Sequence, residues 1–216
     1  MLASCLSLFF ILNSAAQDIN TILKNTSAGV KGGINLADML PSDKHQVDIR
    51  LAGNLGVFAN MPYSDKLSFQ PELLISLQGG KQHTFVETTD YEYISDEKHT
   101  YLLLPLMAQY RINDKLGIEA GPQLGFRLSA WYINQIIDQG VVIYETEEDL
   151  KDQREFFDIG FNMGVRYEIL ENLSAGIRYN IGLKPLNVYR ESVILRHSVL
   201  QVSVAYTLFH STTSGS

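Results

Sequence analysis

The stretch LSFQPELLISLQGG, Leu67 to Gly80, alternates apolar and polar side chains along most of its length. Its apolar residues occupy the odd positions, and only Leu74 interrupts the polar residues at the even positions. A period of two residues predicts a β-strand with one apolar face. Because a protein core and a lipid bilayer both accept such a face, the rest of the sequence has to decide which of them this strand contacts.

The same alternation recurs along the chain and predicts eight strands, none of whose apolar faces carries a charged residue. The predicted strands are residues 28–36, 47–61, 67–79, 102–112, 116–130, 157–169, 173–184 and 199–208. Three prolines, Pro71, Pro105 and Pro122, lie within them. Each proline removes a ladder hydrogen bond, so we expect bulges or lumen-side partners at these positions.

The connections between the predicted strands are alternately short and long. MPYSDKL, INDKL and ILENL make tight turns, and the long links are residues 37–46, 80–101, 131–156 and 185–198. Short connections at one end, long ones at the other and an even number of strands of about ten residues are typical of bacterial outer-membrane barrels. We therefore predict an all-β fold, an eight-stranded antiparallel up-and-down transmembrane β-barrel with short periplasmic turns and long extracellular loops.

The N-terminus and the composition agree with the cell outer membrane as the location. An apolar run followed by small residues ahead of Gln17 has the pattern of a secretory signal peptide. We predict a signal peptide at 1–16, a periplasmic segment at 17–27, the barrel at 28–209 and a C-terminal tail at 210–216. Cys5 is the only cysteine, so the mature chain is expected to have no disulfide. The net charge of −7 argues against nucleic acid as a partner.

A soluble barrel such as a lipocalin is the alternative, and the polar strand faces argue against it. Ten glycines fall on these faces, where they would make room in a narrow lumen for long side chains: Gly29, Gly33, Gly56, Gly117, Gly121, Gly125, Gly160, Gly164, Gly176 and Gly182. Charged residues of both signs share the same faces and suit an interior network of ion pairs. They are Lys31, Arg50, Arg111, Arg127, Arg166, Arg178 and Lys184, with Asp48, Glu72, Glu119, Asp158 and Glu168.

Two further details of the predicted strands favour the membrane barrel. Arg111 and Glu119 lie within one register step of each other across the INDKL turn, so we predict that they pair. The aromatic residues of the apolar faces gather near the short turns, as in half of an interfacial girdle. They are Phe69, Tyr110, Tyr167 and Tyr206.

Several segments resemble the PorT-type outer-membrane β-barrel proteins that are abundant in Bacteroidota. They are VKGGINLADM, GVFANMPYSDKLSFQPELLISLQGGK, YLLLPLMAQYRINDKLGIEAGPQLGF and GIRYNIGL, of which FQPELL and EAGPQLGF are the most specific. The resemblance implies an eight-stranded barrel in the outer membrane, without a catalytic motif. By analogy with the founding member it also implies an accessory role in secretion or transport. The sequence departs from the usual outer-membrane ending, because HSTTSGS follows Phe209 where the barrel assembly machinery reads a terminal aromatic residue.

The function that we expect from the residues is that of a barrel with a lumen filled by side chains, because the twelve charged groups must pair there. A structural or surface-interaction role would then rest on the long loops, where carboxylates and aromatic residues concentrate. These loop residues are Glu87–Glu97, Tyr144–Asp152, Tyr91, Tyr93, Trp131 and Tyr132. The expected partners are outer-membrane lipid, lipopolysaccharide bridged by divalent cations, the assembly machinery and a secretion-system or surface protein, with the barrel itself monomeric.

An outer-membrane enzyme is the alternative from another class. His83 and His99 flank the second long loop, with Asp96 and Glu97 nearby, and would allow metal binding or general-base chemistry if they met. Surface histidines at loop ends usually do neither, and the sequence has no nucleophile elbow, phosphate loop or His-Glu-x-x-His motif. We therefore predict that the protein is not an enzyme and assign no catalytic, cofactor or metal residue.

Overall fold

The computed structural model describes residues 25–40, 47–86, 91–153, 155–184 and 196–210. The predicted signal peptide, residues 17–24 of the predicted periplasmic segment and residues 211–216 of the tail lie outside them. The strands are β1 (Ser27–Leu40), β2 (Val47–Asp48), β3 (Arg50–Pro62), β4 (Leu67–Val86), β5 (Tyr91–Arg111), β6 (Leu116–Asp138), β7 (Val141–Asp149), β8 (Phe157–Leu170), β9 (Leu173–Gly182) and β10 (Arg196–His210). This part of the chain contains no helix with the length and hydropathy needed to cross a membrane.

Eight of these strands close into a ring. The order is β4-β3-β1-β10-β9-β8-β6-β5, and β5 also pairs with β4, so that the sheet has no open edge at the level of the ring. Each pairing is antiparallel, and the first and last strands meet at Ser27 and His210. The two remaining strands lie outside the ring, β2 against β4 and β7 against β6. The predicted all-β, eight-stranded, antiparallel up-and-down architecture is therefore confirmed.

Two of the predicted long loops are largely strand instead. β5 begins at Tyr91 rather than at residue 102, and β6 continues to Asp138 and returns as β7. Gln139 and Gly140 form the turn between them with φ of 49° and 82°, the two positive values of a type I′ hairpin. Where a sheet extends beyond the ring, both of its faces can contact water. These segments therefore need no alternation of apolar and polar residues, and a search for that alternation did not identify them as strands. We call residues 91–96, 131–138 and 141–149 the projecting sheet, and its end of the ring the loop end.

The polarity of the ring is inside out, as the sequence predicted. Ile75 on the outer wall is 54% exposed, whereas its neighbours Glu72 and Ser76, which face the lumen, are each 1% exposed. The predicted aromatic residues near the short turns are also exposed on the outer wall: Phe69, Tyr110, Tyr167 and Tyr206. Leu74, which interrupts the alternation, points inward and packs in a small buried cluster with Tyr101 and Leu103.

The three strand prolines lie close together in the wall. Pro71 of β4 pairs with Leu106 of β5, and the register of β5 and β6 sets Leu106 opposite Pro122. At each proline the ladder is interrupted and resumes within three residues in the same register. The bulges expected there are therefore absent from the described strands, whose register shifts lie at other positions. Each proline is unpaired in the ladder to one neighbouring strand and paired in the ladder to the other, and this is how the barrel accommodates it.

Glycine on the lumen face is required where neighbouring strands leave no space for a Cβ atom. A Cβ on Gly56 would overlap the backbone carbonyl of Leu73 and would lie 2.8 Å from Leu74 Cδ2. We expect Gly56→Ala to lower the free energy of unfolding by about 1–3 kcal/mol, because overpacking forces the wall apart. Gly53→Ala is the control on the same strand, since its nearest neighbour is the Gly33 carbonyl at 3.7 Å. Urea unfolding of both variants in detergent micelles checks this, and equal midpoints would contradict it.

Candidate functional site: the closed lumen and the projecting sheet

A cluster of four charged residues occupies the middle of the lumen. Arg178 of β9 donates from Nε to Glu119 Oε1 at 2.8 Å, and from Nη1 and Nη2 to the two oxygens of Glu72 at 2.8 and 2.9 Å. Lys31 Nζ donates to Glu72 Oε1 at 3.1 Å. All four side chains are buried, and their formal charges sum to zero. The strands thus bring two cations and two carboxylates from β1, β4, β6 and β9 into one neutral network, as a buried ionic group requires.

Uncharged polar side chains fill the lumen beside the charged cluster. Asn35 donates from Nδ2 to Ser76 Oγ at 2.9 Å and accepts at Oδ1 from Asn54 at 2.7 Å. Across the barrel, Asn180 donates to Asn162 Oδ1 at 3.0 Å. A cavity between these groups and Arg178 has a volume of about 10 Å³. That is about the space of one water molecule, so the side chains fill this part of the lumen.

A closed lumen predicts the absence of a diffusion pore. We expect the purified protein in a planar bilayer to show no stable single-channel currents of porin size, because the residual cavity is about 10 Å³ and eight strands leave room for side chains only. A 16-stranded porin measured in the same bilayer is the positive control. Regular conductance steps from this barrel at low voltage would show that the network of Arg178 opens in the membrane.

The other predicted lumen charges have partners of several kinds. Arg127 is buried and donates to the backbone carbonyls of Lys151 and Glu155, which fastens the chain after β7 to the ring. Further ion pairs are Arg50 with Asp96, Arg166 with Glu168 and Lys184 with Glu155, and Asp158 is buried at the start of β8. The side chain of Asp48 lies outside the described residues.

The predicted pair of Arg111 and Glu119 is wrong. Arg111 is exposed and lies opposite Gly117, whereas Glu119 lies opposite Gln109. Gln109 Nε2 donates to Glu119 Oε2 at 3.1 Å, and Arg178 supplies the positive charge from across the lumen. The register across the INDKL turn therefore did not identify the cationic partner of Glu119. In a narrow ring, side chains from strands that are not neighbours can reach each other through the lumen.

His83 and His99, whose meeting was the condition for the enzyme alternative, do not meet. His83 Nε2 lies 3.2 Å from Glu92 Oε2 in a half-exposed position. His99 is 1% exposed inside the lumen, and its Nε2 lies 2.7 Å from Glu97 Oε1. Asp96, which precedes Glu97 on β5, pairs with Arg50. The two histidines therefore belong to separate pairs and form no joint site.

The structure instead brings His99 together with two residues that the sequence pattern did not single out. Tyr101 OH lies 3.4 Å from His99 Nδ1 and 3.0 Å from His197 Nε2. We call Glu97, His99, Tyr101 and His197 the His-Tyr cluster. His197 lies an even number of residues before Gln201, which faces the lumen on β10. Had the predicted last strand begun two residues earlier, at 197 instead of 199, it would have placed His197 in the lumen.

The projecting sheet carries the aromatic and acidic residues that were predicted to lie in loops. Tyr93, Ile136 and Tyr144 occupy neighbouring register positions on β5, β6 and β7. Tyr93 and Tyr144 are exposed, as are Trp131 of β6 and every residue of β7. Tyr91 and Tyr132 are half-buried, and residues 87–90 lie outside the described part of the chain. The sheet thus presents exposed aromatic residues and carboxylates together on strands rather than on loops.

A second cavity, of about 660 Å³, opens at the end of the short turns. Its lining includes Lys31 and Glu119 of the charged cluster and the more exposed Arg166 and Glu168. Ser27 and His210, where the first and last strands meet, also line it. The lumen is therefore closed in its middle and open to solvent as a polar cavity at this end.

The chain has structural relatives among small outer-membrane barrels. Ail, the attachment invasion locus protein of Yersinia pestis, is 9% identical with a TM-score of 0.48, over 85% of this chain and 99% of that one. OprG of Pseudomonas aeruginosa is 10% identical with a TM-score of 0.38, over 86% and 94%. The outer membrane protein W of E. coli is 14% identical with a TM-score of 0.37, over 84% and 98%. No curated protein matches the chain.

A family model settles the classification. The model of the outer membrane protein beta-barrel domain matches residues 15–187, which include the first nine strands of the fold. Its match agrees with the closed ring of eight antiparallel strands and with the apolar outer wall. The chain therefore belongs to the outer membrane protein beta-barrel domain family and is a protein of the outer membrane.

Proposed function

We propose that the protein is a surface-interaction barrel, in which the closed ring anchors the projecting sheet outside the cell. The observation that carries this proposal is β7. Each of its nine residues is exposed, and one of its edges pairs with β6 while the other pairs with no strand among the described residues. An unpaired strand edge is a template for adding an extended segment of another protein.

The side chains of β7 indicate what kind of segment would fit. Its first half, Val141 to Tyr144, is apolar and exposed, and its second half carries four carboxylates. Two of them accept amide hydrogen bonds, Glu145 from Gln135 at 2.6 Å and Glu148 from Gln153 at 3.0 Å. Neither of these two bonds neutralises a charge. The partner with the best complementarity is therefore an extended protein segment with one apolar half and one basic half.

A defined peptide tests this proposal. We expect a Lys-Val peptide with one half made of Val and the other of Lys to bind the barrel in lipid nanodiscs and to slow hydrogen exchange of the β7 amides, because it would pair with the open edge. The double variant Glu147→Lys with Glu148→Lys should weaken binding at least tenfold. The double variant Asp114→Lys with Glu171→Lys, in two turns at the opposite end, is the matched charge control and should change nothing. Equal binding of a Glu-Val peptide, or binding without protection of β7, would contradict the proposal.

An accessory role in secretion or transport is the second candidate, and the resemblance to PorT-type proteins favours it. The polar cavity of about 660 Å³ at the short-turn end supports such a role, because a partner in the periplasm could enter it. In this arrangement the short turns face the periplasm, and all eight strands that close the ring come from one chain. Co-purification of the same secretion components from cells, lost on charge reversal of Arg166 and Arg111, would favour this candidate over the first.

A further inference from the structure

The His-Tyr cluster lies inside the lumen, where the projecting sheet joins the ring, and away from the cavity at the short turns. It occupies the loop half of the lumen, because the register of β4 and β5 sets His99 opposite Gln78 and Tyr101 opposite Ser76. Those positions are farther from the short turns than Glu72 of the charged cluster. His99, Tyr101 and His197 are each 1% exposed. Neither the proposed docking of a partner nor the closure of the lumen by the charged cluster uses these side chains.

Two imidazole nitrogens converge on one phenolic oxygen in this cluster. His99 Nδ1 and His197 Nε2 lie 3.4 and 3.0 Å from Tyr101 OH. In a tetrahedral zinc site with bonds of about 2.0–2.1 Å, any two ligand atoms are separated by roughly 3.3 Å. The two histidine rings are perpendicular with centroids 5.4 Å apart. The two distances from Tyr101 OH to the histidine nitrogens are therefore close to the edge length of a zinc tetrahedron.

The surroundings of the two histidines fit metal binding as well. His99 Nε2 lies 2.7 Å from Glu97 Oε1. A metal-binding histidine commonly donates its second ring N–H to a carboxylate, which leaves the first nitrogen unprotonated toward the metal. His197 Nδ1 is buried and has no hydrogen-bond partner among the described residues. Its ring can therefore carry its proton on Nδ1 and offer the lone pair of Nε2 without breaking another hydrogen bond.

We propose that the lumen holds one divalent transition metal ion, bound by His99 Nδ1, His197 Nε2 and the phenolate oxygen of Tyr101, with Glu97 orienting His99. Imidazole ligands favour Zn²⁺, Cu²⁺ and Ni²⁺ among such ions. Binding breaks the O–H bond of Tyr101 and releases that proton to solvent, and the His197 ring holds its single proton on Nδ1. The charge of the ion is balanced by the phenolate and the carboxylate of Glu97. The site contains a tyrosine, whereas the described residues contain no group of three or more His, Cys, Asp or Glu placed to hold a metal.

Zinc titration of the folded barrel tests the proposal. The protein is refolded in detergent without a histidine tag, and Zn²⁺ is added in competition with a chromogenic chelator. We expect one Zn²⁺ per chain, release of a proton and the ultraviolet difference band of tyrosinate. Glu97→Gln should weaken affinity about 10–100-fold, as is usual for a residue that orients a ligand. His197→Gln and Tyr101→Phe should each weaken it more, and Tyr101→Phe should also abolish the tyrosinate band.

His83→Gln is the matched control, because His83 also lies beside a carboxylate, Glu92 at 3.2 Å, but belongs to a separate pair from His99. It should leave zinc affinity unchanged. Heat-dependent gel migration shows whether each variant is folded, and if His197→Gln does not fold, the comparison rests on Tyr101→Phe, which keeps the aromatic ring. Failure of the wild type to retain stoichiometric zinc, or equal affinity in wild type and Tyr101→Phe, would overturn the proposal. In that case the cluster is a hydrogen-bonded chain that only fills the lumen.

Discussion

Replacing Arg178 with alanine is expected to lower the free energy of unfolding by about 3–5 kcal/mol, because the carboxylates of Glu72 and Glu119 would lose a buried partner. Arg178 makes three charge-assisted hydrogen bonds of 2.8–2.9 Å to these two groups and is 3% exposed. Lys31 and Gln70 would remain beside Glu72, but among the described residues Glu119 would keep only the hydrogen bond from the amide of Gln109. The measurement is the urea midpoint of the folded barrel in detergent, followed by gel migration without boiling.

A matched control separates the buried network from ion pairs in general. Arg166 pairs with Glu168 at 2.9 Å in a partly exposed position of the same barrel. Arg166→Ala should therefore cost less than about 1 kcal/mol, as exposed pairs usually do. In the double variant Arg178→Ala with Glu119→Ala the loss should be smaller than the sum of the two single losses, since the second change removes a carboxylate that the first left unpaired. Additive losses, or equal losses for Arg178 and Arg166, would contradict this account of the lumen.

Val202→Arg is expected to destabilise the barrel in bilayers by about 2–4 kcal/mol, the cost of a cation facing lipid at the middle of the membrane. Val202 lies on the outer wall of β10, with Ile34 and Ile177 beside it on the neighbouring strands, and all three are exposed. The measurement is reversible unfolding from lipid vesicles by guanidinium. Transfer to a detergent micelle should reduce the penalty, because a micelle lets the side chain reach water.

The position of the residue along the strand provides the control. Leu208 is exposed on the same wall of the same strand, but near its end at the short turns. Because the penalty falls to about 0–1 kcal/mol at the membrane interface, Leu208→Arg should cost much less than Val202→Arg. A soluble barrel would show a small effect at both positions. Equal effects at both would therefore contradict the placement of this wall in lipid.

The sequence predicted the ring well because the ring obeys a single local rule. Between 67 and 77 each apolar residue at an odd position faces out, since one face must meet lipid and the other must not. The projecting sheet escaped prediction because water on both sides of it imposes no such rule. In β7 the residues VVIY and ETEED follow each other in blocks, and only pairing with β6 makes them a strand.

The lumen was harder to predict than its wall. The number of lumen charges is enough to predict that they form ion pairs. That Glu119 pairs with Arg178 and not with Arg111 depends on distances across the ring. The same holds for His197, which reaches Tyr101 from a strand 96 residues away in the chain. Such contacts are set by strand tilt, stagger and side-chain conformation together, and no fixed spacing in the sequence records them.

The contact between the first and last strands has a consequence for how the protein assembles. Ser27 to Leu40 can complete its hydrogen bonds only after Arg196 to His210 has been synthesised and delivered. Closure of the ring therefore depends on contact between its first and last strands, which are the farthest apart in the sequence. Such contacts form slowly during folding. Until it happens, both strands have bare edges that invite pairing with other chains, so the nascent protein needs shielding during its passage to the membrane.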